Sequence, residues 1–223
     1  MSEFSSGIMI QSCHKNTALK FMEEGTELIQ LNDTWLCMLS ESDYCNDIAE
    51  TNYTEEVLNL SEHIPLLNIV NAEDHEFMLG ILYHKKLVFN FGIEYDVESE
   101  FVFQTGLELY GEEYIEKLFD EEVTEHVKRE TEKRFAEVEE RVQSFFSNIS
   151  PEQIGQFRLF GFQQDVCDKI QHILTCRNYH KDKSGHQMTR ELLAALKLEE
   201  FQFISYDYVS NNREFYTIVQ EIE

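Results

Sequence analysis

Apolar and polar residues alternate along residues 66–95, and this alternation predicts three consecutive β-strands at 66–71, 76–83 and 87–95. Successive side chains of a strand point to opposite faces, so a period of two places one apolar set on one face. The pattern is typical of a half-buried antiparallel sheet. The two clearest apolar sets are Phe77, Leu79, Ile81 and Tyr83, then Leu87, Phe89, Phe91, Ile93 and Tyr95.

The residues before this pattern predict further strands and short helices. Thr54 is a candidate N-cap, because its hydroxyl could accept a hydrogen bond from the first turn of a helix. The resulting order, β-α-β-β-α-β-β-β, predicts a mostly antiparallel sheet with helices on one face. The predicted strands are 6–12, 26–31 and 35–39, and the predicted helices are 16–24 and 47–62.

A helical period dominates the second half of the chain. Apolar residues recur at steps of three and four over 121–149, which predicts one long, continuous amphipathic helix. A helix of this length could also form the seam of a homodimer. The predicted buried stripe is Val127, Phe135, Val138, Val142 and Phe145.

The remaining elements complete an α+β fold. Ser150 and Pro151 are typical of a helix start, and a helix is predicted at 189–198. A terminal hairpin is predicted from strands at 201–209 and 215–219. We therefore expect an N-terminal sheet domain at 1–98 and a mainly helical region at 99–223, or one cooperative unit that joins them.

Charge restricts the classes of partner. The chain has 43 acidic and 18 basic residues, a formal net charge of −25, and residues 1–100 hold 19 acids against 4 bases. Such a field repels nucleic-acid backbones and anionic membranes and attracts basic proteins. We therefore expect a protein partner with a basic surface, and neither a nucleic-acid nor a membrane partner.

Cysteine usage and apolar run length indicate the compartment. The five cysteines are an odd number at irregular spacing, which favours free thiols in a reducing cytoplasm. Residues 1–7 lack the basic start and apolar run of a signal peptide, and no apolar run approaches the length of a membrane span. The prediction is a cytoplasmic protein without cofactor or bound metal.

The tetrapeptide Glu73, Asp74, His75 and Glu76 is a weak catalytic candidate. Carboxylates beside an imidazole can hold a divalent ion or divide acid and base roles, as in a hydrolase or a metal-dependent enzyme. The competing interpretation is a solvated turn between two strands, where such residues are common.

Cys167, His172 and Cys176 are weak candidates for a zinc site, because His172 and Cys176 would lie on one face of a helix. No CxxC pair supports the site, and two buried thiols near polar histidines explain the same residues. The aromatic run Phe157, Phe160 and Phe162 beside Arg158 is better explained by core packing than by base stacking, given the acidic charge.

The acidic stretch 94–125 holds 12 acids and one base, Lys117, and is the strongest candidate for a binding surface. The hypothesis that follows is a non-enzymatic protein that binds a basic partner. Two alternatives stay open: an immunity-type inhibitor of a basic nuclease toxin, and an enzyme that uses residues 73–76. The acidic residues proposed to contact the partner are Glu112, Glu113, Glu116 and Glu121.

The cysteine pattern generates a first testable prediction. Protein purified without reductant and then unfolded should titrate as five free thiols, because no pair has the spacing of a disulfide framework. Ellman's reagent in denaturant measures the number, with a fully reduced sample as the control. A count below five in the sample that has not been reduced would contradict the prediction.

Overall fold

The strands of the protein assemble into a single sheet. In the computed structural model, which describes residues 4–40, 53–72, 75–175, 179, 185–202 and 204–222, this sheet has seven antiparallel strands. They are β1 Phe4–Gln11, β2 Thr26–Gln30, β3 Trp35–Ser40, β4 Leu66–Ala72, β5 Glu76–Tyr83, β6 Lys86–Glu94 and β7 Thr217–Ile222. Their order across the sheet is β6-β5-β4-β1-β3-β2-β7.

Helices follow the strands and fill most of the second half of the chain, which confirms the α+β class. Short 3₁₀ turns accompany them at Ser12–His14, Gln156–Phe160 and Arg213–Phe215. The α-helices are α1 Lys15–Ala18, α2 Glu55–Ser61, α3 Val97–Tyr110, α4 Glu113–Glu116, α5 Glu121–Glu132, α6 Phe135–Phe145, α7 Pro151–Gly155, α8 Gln164–Ile173, α9 His186–Ala195 and α10 Tyr206–Asn211.

Both faces of the sheet are buried, although the alternation predicted one buried face. In β5, Phe77 and Leu79 belong to the larger core cluster, whereas Met78 and Leu82 belong to a smaller cluster on the opposite face. The sequence of β5 carries apolar residues at both parities, so each face needs a cover. Helices therefore pack against the sheet from both sides.

Leu87 leaves the face that the alternation predicted for it. Ile81 pairs with Phe89 but Leu82 pairs with Leu87, so Val88 is an extra residue in β6. Such a bulge changes which side of the sheet the following side chains occupy. Phe89 joins the larger cluster as predicted, while Leu87 packs against the smaller one.

The larger core joins the sheet to the helices of the second half. Phe157, Ile170 and Leu192 are fully buried in the same cluster as Phe89, and the rings of Phe89 and Phe157 lie 4.9 Å apart. Phe160 is 3 % exposed. The aromatic run therefore packs in the core, as its sequence context predicted.

The smaller core is covered by α1 and α2. Ala18, Val57 and Leu60 are fully buried in it. The Thr54 hydroxyl accepts a hydrogen bond from the Val57 backbone N–H at 3.4 Å, which confirms the predicted N-cap. Helix α2 accordingly begins at Glu55, and residues 47–52 of the predicted helix lie outside the described residues.

The prediction of one continuous helix over 121–149 is wrong. Helix α5 ends at Glu132 and α6 begins at Phe135, with a turn at Lys133 and Arg134 between them. Arg134 donates from Nη1 to Thr105 Oγ1 of α3 at 3.3 Å. The apolar residues keep their steps of three and four through this turn. Their spacing therefore does not reveal the turn, because it carries no information about contacts with another helix.

The break also changes which residues of the predicted stripe are buried. Val127 and Val142 are buried, and Val138 and Phe145 are half-buried beside the larger core. Phe135 was predicted to be buried but is 66 % exposed. It is the first residue of α6, directly after the turn that separates this helix from α5.

The predicted terminal hairpin is also wrong. The segment predicted as its first strand contains helix α10, whose N-cap Ser205 accepts from the Tyr208 backbone N–H at 3.3 Å. Phe201 and Ile204, which precede this helix, and Val209 within it are buried. The short aromatic run fits a strand or a helix, and Ser205 favours the helix.

Strand β7 pairs with β2 from the other end of the chain, from Thr26 opposite Ile222 to Gln30 opposite Thr217. This pairing connects the two predicted regions through the sheet, in addition to the larger core. The division of the chain at residue 98 stays a prediction.

Burial in α6 generates a second testable prediction. Val142→Asp should lower the free energy of unfolding by about 3 kcal/mol, because it places an unpaired carboxylate in the larger core. Gln143→Asp, at the exposed neighbouring position, is the matched control and should change stability by less than about 0.5 kcal/mol. Equal unfolding midpoints in urea for the two variants would refute this placement of α6.

Candidate functional site

Exposed large apolar side chains concentrate in helices α3 to α6 and the turns between them. Among the described residues, only Tyr208 and Phe215 are large, apolar and exposed elsewhere. Phe119 is 99 % exposed in the turn between α4 and α5. The members of this concentration, here called the apolar patch, are Phe103, Leu109, Ile115, Leu118, Phe119 and Phe135.

Close packing of α4 on α3 positions the patch. Tyr114 is 3 % exposed, and its ring lies where a side chain at position 106 would be. A Cβ at Gly106 would be 2.2 Å from Tyr114 Cε1, so a residue with a side chain would displace the ring. The missing side chain of Gly106 therefore allows α4 to lie against α3.

Polar contacts hold α5 and α6 near the same helix. Tyr110 Oη of α3 and His126 Nδ1 of α5 are 2.7 Å apart. At the turn before α6, Arg134 makes ion pairs with Glu108 at 3.2 Å and with Glu137 at 2.9 Å. The Arg134 guanidinium also lies 5.1 Å from the centre of the Phe101 ring. These contacts fix the separation of the helices.

The four helices enclose a groove of about 890 Å³. A cavity of this size is within the range of ordinary ligand and peptide sites. The lining combines apolar and polar side chains: Val102, Phe103, Tyr114, Leu118, Phe135 and Val138 with Asp96, Glu98, Ser99, Lys128, Thr131 and Glu132. We call this the α3–α6 groove.

Acidic charge surrounds the groove. Residues 97–145 contain 15 acids and 6 bases. Four of these bases form ion pairs: Lys117 with Glu113 at 2.7 Å, Lys133 with Glu130 at 2.6 Å, and Arg134 and Arg141 with glutamates. Their charge is therefore compensated locally, and the uncompensated charge of the region is negative.

The four acidic residues predicted to bind a partner do not line this groove, but they are close in sequence to Tyr114 and Leu118, which do. Glu113 and Glu116 are exposed on α4, Glu112 is exposed at its N-cap, and Glu121 is exposed at the start of α5. The hydrogen bond and ion pair of Glu113 with Lys117 lower the pKa of the Glu113 carboxyl group. The contact of the four acidic residues with a partner stays a prediction.

A second pocket contains part of the predicted catalytic tetrapeptide. His75 and Glu76 line a cavity of about 690 Å³ with Glu94, Asp96 and Arg141. Glu76 lies opposite Glu94 in the β5–β6 pairing, and Arg141 forms an ion pair with Glu94. Glu73 and Asp74 lie outside the described residues, so the structure describes two of the four positions and the catalytic role of the cluster stays a prediction.

Among the described residues, no three metal-ligating side chains are close enough to hold an ion. Cys167 is buried in the larger core, where burial raises the pKa of its thiol. His172 is exposed on the same helix, and Cys176 lies outside the described residues. The described cysteines Cys13, Cys37 and Cys167 are free thiols.

Asp96 and Ser99 line both cavities, so the α3–α6 groove and the pocket at His75 meet at the start of α3. The Asp96 side chain is the N-cap of α3 and accepts from the Ser99 backbone N–H at 3.1 Å. The two cavities therefore form one continuous acidic surface, and its apolar part is the α3–α6 groove.

Sequence reasoning predicted an acidic surface within residues 94–125 but missed the apolar patch. The available signal was the distribution of apolar residues in α3, where Phe101, Val102 and Phe103 are consecutive. Consecutive apolar residues cannot all face one side of a helix, so some of them must contact a second partner or remain exposed.

Comparison of the chain with protein-family models, curated proteins and solved structures found no match. Within the part of the chain that the structure describes, no helix has the length and apolar character needed to cross a bilayer. Functional inference therefore depends on the chemistry of the surface.

The packing of Tyr114 generates a third testable prediction. Gly106→Ala should lower the free energy of unfolding by about 1–3 kcal/mol, because the new methyl group overlaps the buried ring. Gly155→Ala is the matched control: position 155 is helical and has open space around it.

The control variant should be neutral or more stable by about 0.4–1 kcal/mol, since alanine restricts the unfolded chain. Chemical denaturation of both variants measures the difference. If Gly106→Ala proves as stable as Gly155→Ala, the close packing of α4 on α3 is wrong.

Proposed function

We propose that this protein acts by binding a basic protein, and that the contact surface is the α3–α6 groove with the acidic residues beside it. The observation that carries the proposal is that the apolar patch lies within the acidic helices. Large exposed apolar patches rimmed by polar residues mark interaction sites. Apolar contact supplies affinity, while the surrounding charge selects the partner and accelerates association.

The acid excess supports a basic protein over the other classes of partner. A nucleic acid or an anionic membrane would be repelled by residues 97–145, which hold 15 acids against 6 bases. Catalysis by the residues around His75 stays an alternative, because Glu73 and Asp74 lie outside the described residues. Inhibition of a basic nuclease toxin is one form that the proposed binding could take.

We also propose that the protein works in the cytoplasm. The three described cysteines are free thiols, and Cys13 is exposed, where an oxidising compartment would modify it readily.

Charge reversal tests the proposed surface. A variant with Glu112, Glu113, Glu116 and Glu121 replaced by Lys should lose capture of basic partners from a native lysate, because it inverts the steering charge beside the groove. Its fold should be unaffected, since exposed charges contribute little to stability. The readout is quantitative mass spectrometry of captured proteins, with circular dichroism as the check on folding.

The matched control reverses the same number of exposed acids away from the groove. Glu24, Asp33, Glu199 and Glu214 are exposed, and their replacement by Lys gives the same net charge. The control variant should still capture basic partners from the lysate. This capture should weaken as the salt concentration rises from about 50 to 300 mM, because screening shortens the range of the electrostatic attraction. Equal loss in both variants, or capture that is independent of salt, would contradict the proposal.

A further inference from the structure

The walls of the α3–α6 groove are helical on every described side. Apart from Asp96, the N-cap of α3, its lining residues belong to α3, α4, α5 and α6 and to the turn between α4 and α5. The N–H and C=O groups within a helix bond to one another, so such walls offer no free ladder to an incoming strand. A partner must therefore satisfy its own backbone and interact through side chains.

The floor of the groove is apolar and accessible. Phe103, Leu118 and Phe135 are 38 %, 37 % and 66 % exposed, and the half-buried Val102 and Val138 lie beside them. Both sides of the groove contribute, since Phe103 belongs to α3 and Phe135 to α6. A complementary ligand must present several apolar side chains along one face.

The rim of the groove is acidic. Asp96, Glu98 and Glu132 line it against one base, Lys128. Two nearby bases are already engaged, because Lys117 pairs with Glu113 and Arg134 pairs with Glu108. A cationic residue on the partner would therefore meet carboxylates whose charge is not neutralised within the groove.

We propose that the α3–α6 groove binds an amphipathic α-helix that carries Lys or Arg beside its apolar face. This inference rests on the proposed function and specifies the part of the partner that makes the contact. A helix satisfies its own backbone, and apolar residues at positions i, i+3, i+4 and i+7 form the single face that the floor requires. Lysine or arginine on its flanks is complementary to Asp96, Glu98 and Glu132.

A second copy of this chain fits the groove less well. Two acidic faces would repel each other, because helices α3 to α6 carry the same excess of acids in both copies. The homodimer predicted from residues 121–149 is therefore an outcome that the experiment must distinguish.

Fluorescence anisotropy with three labelled peptides tests the inference. The first is a helix of about 15 residues, long enough for four turns, with Leu at i, i+3, i+4 and i+7 and Lys on both flanks. The second is a scrambled peptide of the same composition, and the third replaces each Leu by Ala. The amphipathic peptide should bind about tenfold more tightly than either of the others.

Two single variants locate the binding on the protein. Phe135→Ala should weaken binding of the amphipathic peptide by about fivefold or more, since it removes an exposed aromatic contact of the groove. Phe215→Ala is the control, because Phe215 is 76 % exposed but lies outside the groove. The affinity of the Phe215→Ala variant for the amphipathic peptide should stay within about twofold of that of the unmodified protein.

Each other outcome overturns the inference in a recognisable way. Equal binding of the amphipathic and scrambled peptides would leave a charge-driven surface without helix recognition, so the proposed function would survive alone. Absence of binding by all three peptides would reject the helix, while the charge-reversal experiment decides the proposed function separately. Self-association that Phe135→Ala abolishes, measured by sedimentation, would assign the groove to a second copy.

Discussion

The sheet can accommodate one layer of helices on each face, and this limit determines what happens to the remaining helices. Helices α6 to α9 supply the cover of the larger core, and α1 and α2 pack on the opposite face. Among the described residues, α4 and α5 contribute to neither core cluster. They pack against α3 instead, through Tyr114 on Gly106 and through the pair of Tyr110 and His126. This packing leaves part of their apolar surface uncovered, so residues such as Leu109 and Ile115 stay exposed.

The electrostatics of these helices have more consequence for binding than for stability. Exposed ion pairs such as Glu113 with Lys117 contribute little to folding, because solvent screens the two charges. The uncompensated acids act over a longer range, about 8–10 Å at ordinary ionic strength, and so affect how fast a charged partner arrives. Apolar contact and acidic charge therefore have separate roles on one surface. Apolar contact favours retention of a partner, and acidic charge favours selection of the partner.

Local patterns predicted most of the sheet and several helix starts. The strands at residues 66–95 follow from a period of two, and Thr54 caps its helix as expected. These features depend on residues that are close in sequence, so a single sequence contains the signal. The pairing of β7 with β2 depends on residues from opposite ends of the chain, and no local pattern reports it.

Because local patterns report only residues that are close in sequence, the acidic stretch of the candidate surface was predicted but its exposed apolar residues were not. Glu112, Glu113, Glu116 and Glu121 were proposed because charge can be counted along the chain, and their contact with a partner stays a prediction. The exposure of Phe135 could not be found this way, since it follows from the turn at Arg134 and its contacts with α3. A helical stripe identifies apolar positions but does not say which of them another helix covers.

The most direct test of the α3–α6 groove as the binding surface is a methyl NMR titration of the intact protein with the lysine-flanked amphipathic peptide. If the α3–α6 groove is the binding surface, the methyl resonances of Val102, Leu118 and Val138 should shift together and saturate at one equivalent of peptide, because these side chains line the groove. Those of Leu28 and Ile69, buried on the two faces of the sheet, should not move. Shifts that are absent from the groove, or that spread evenly over both cores, would contradict this binding surface.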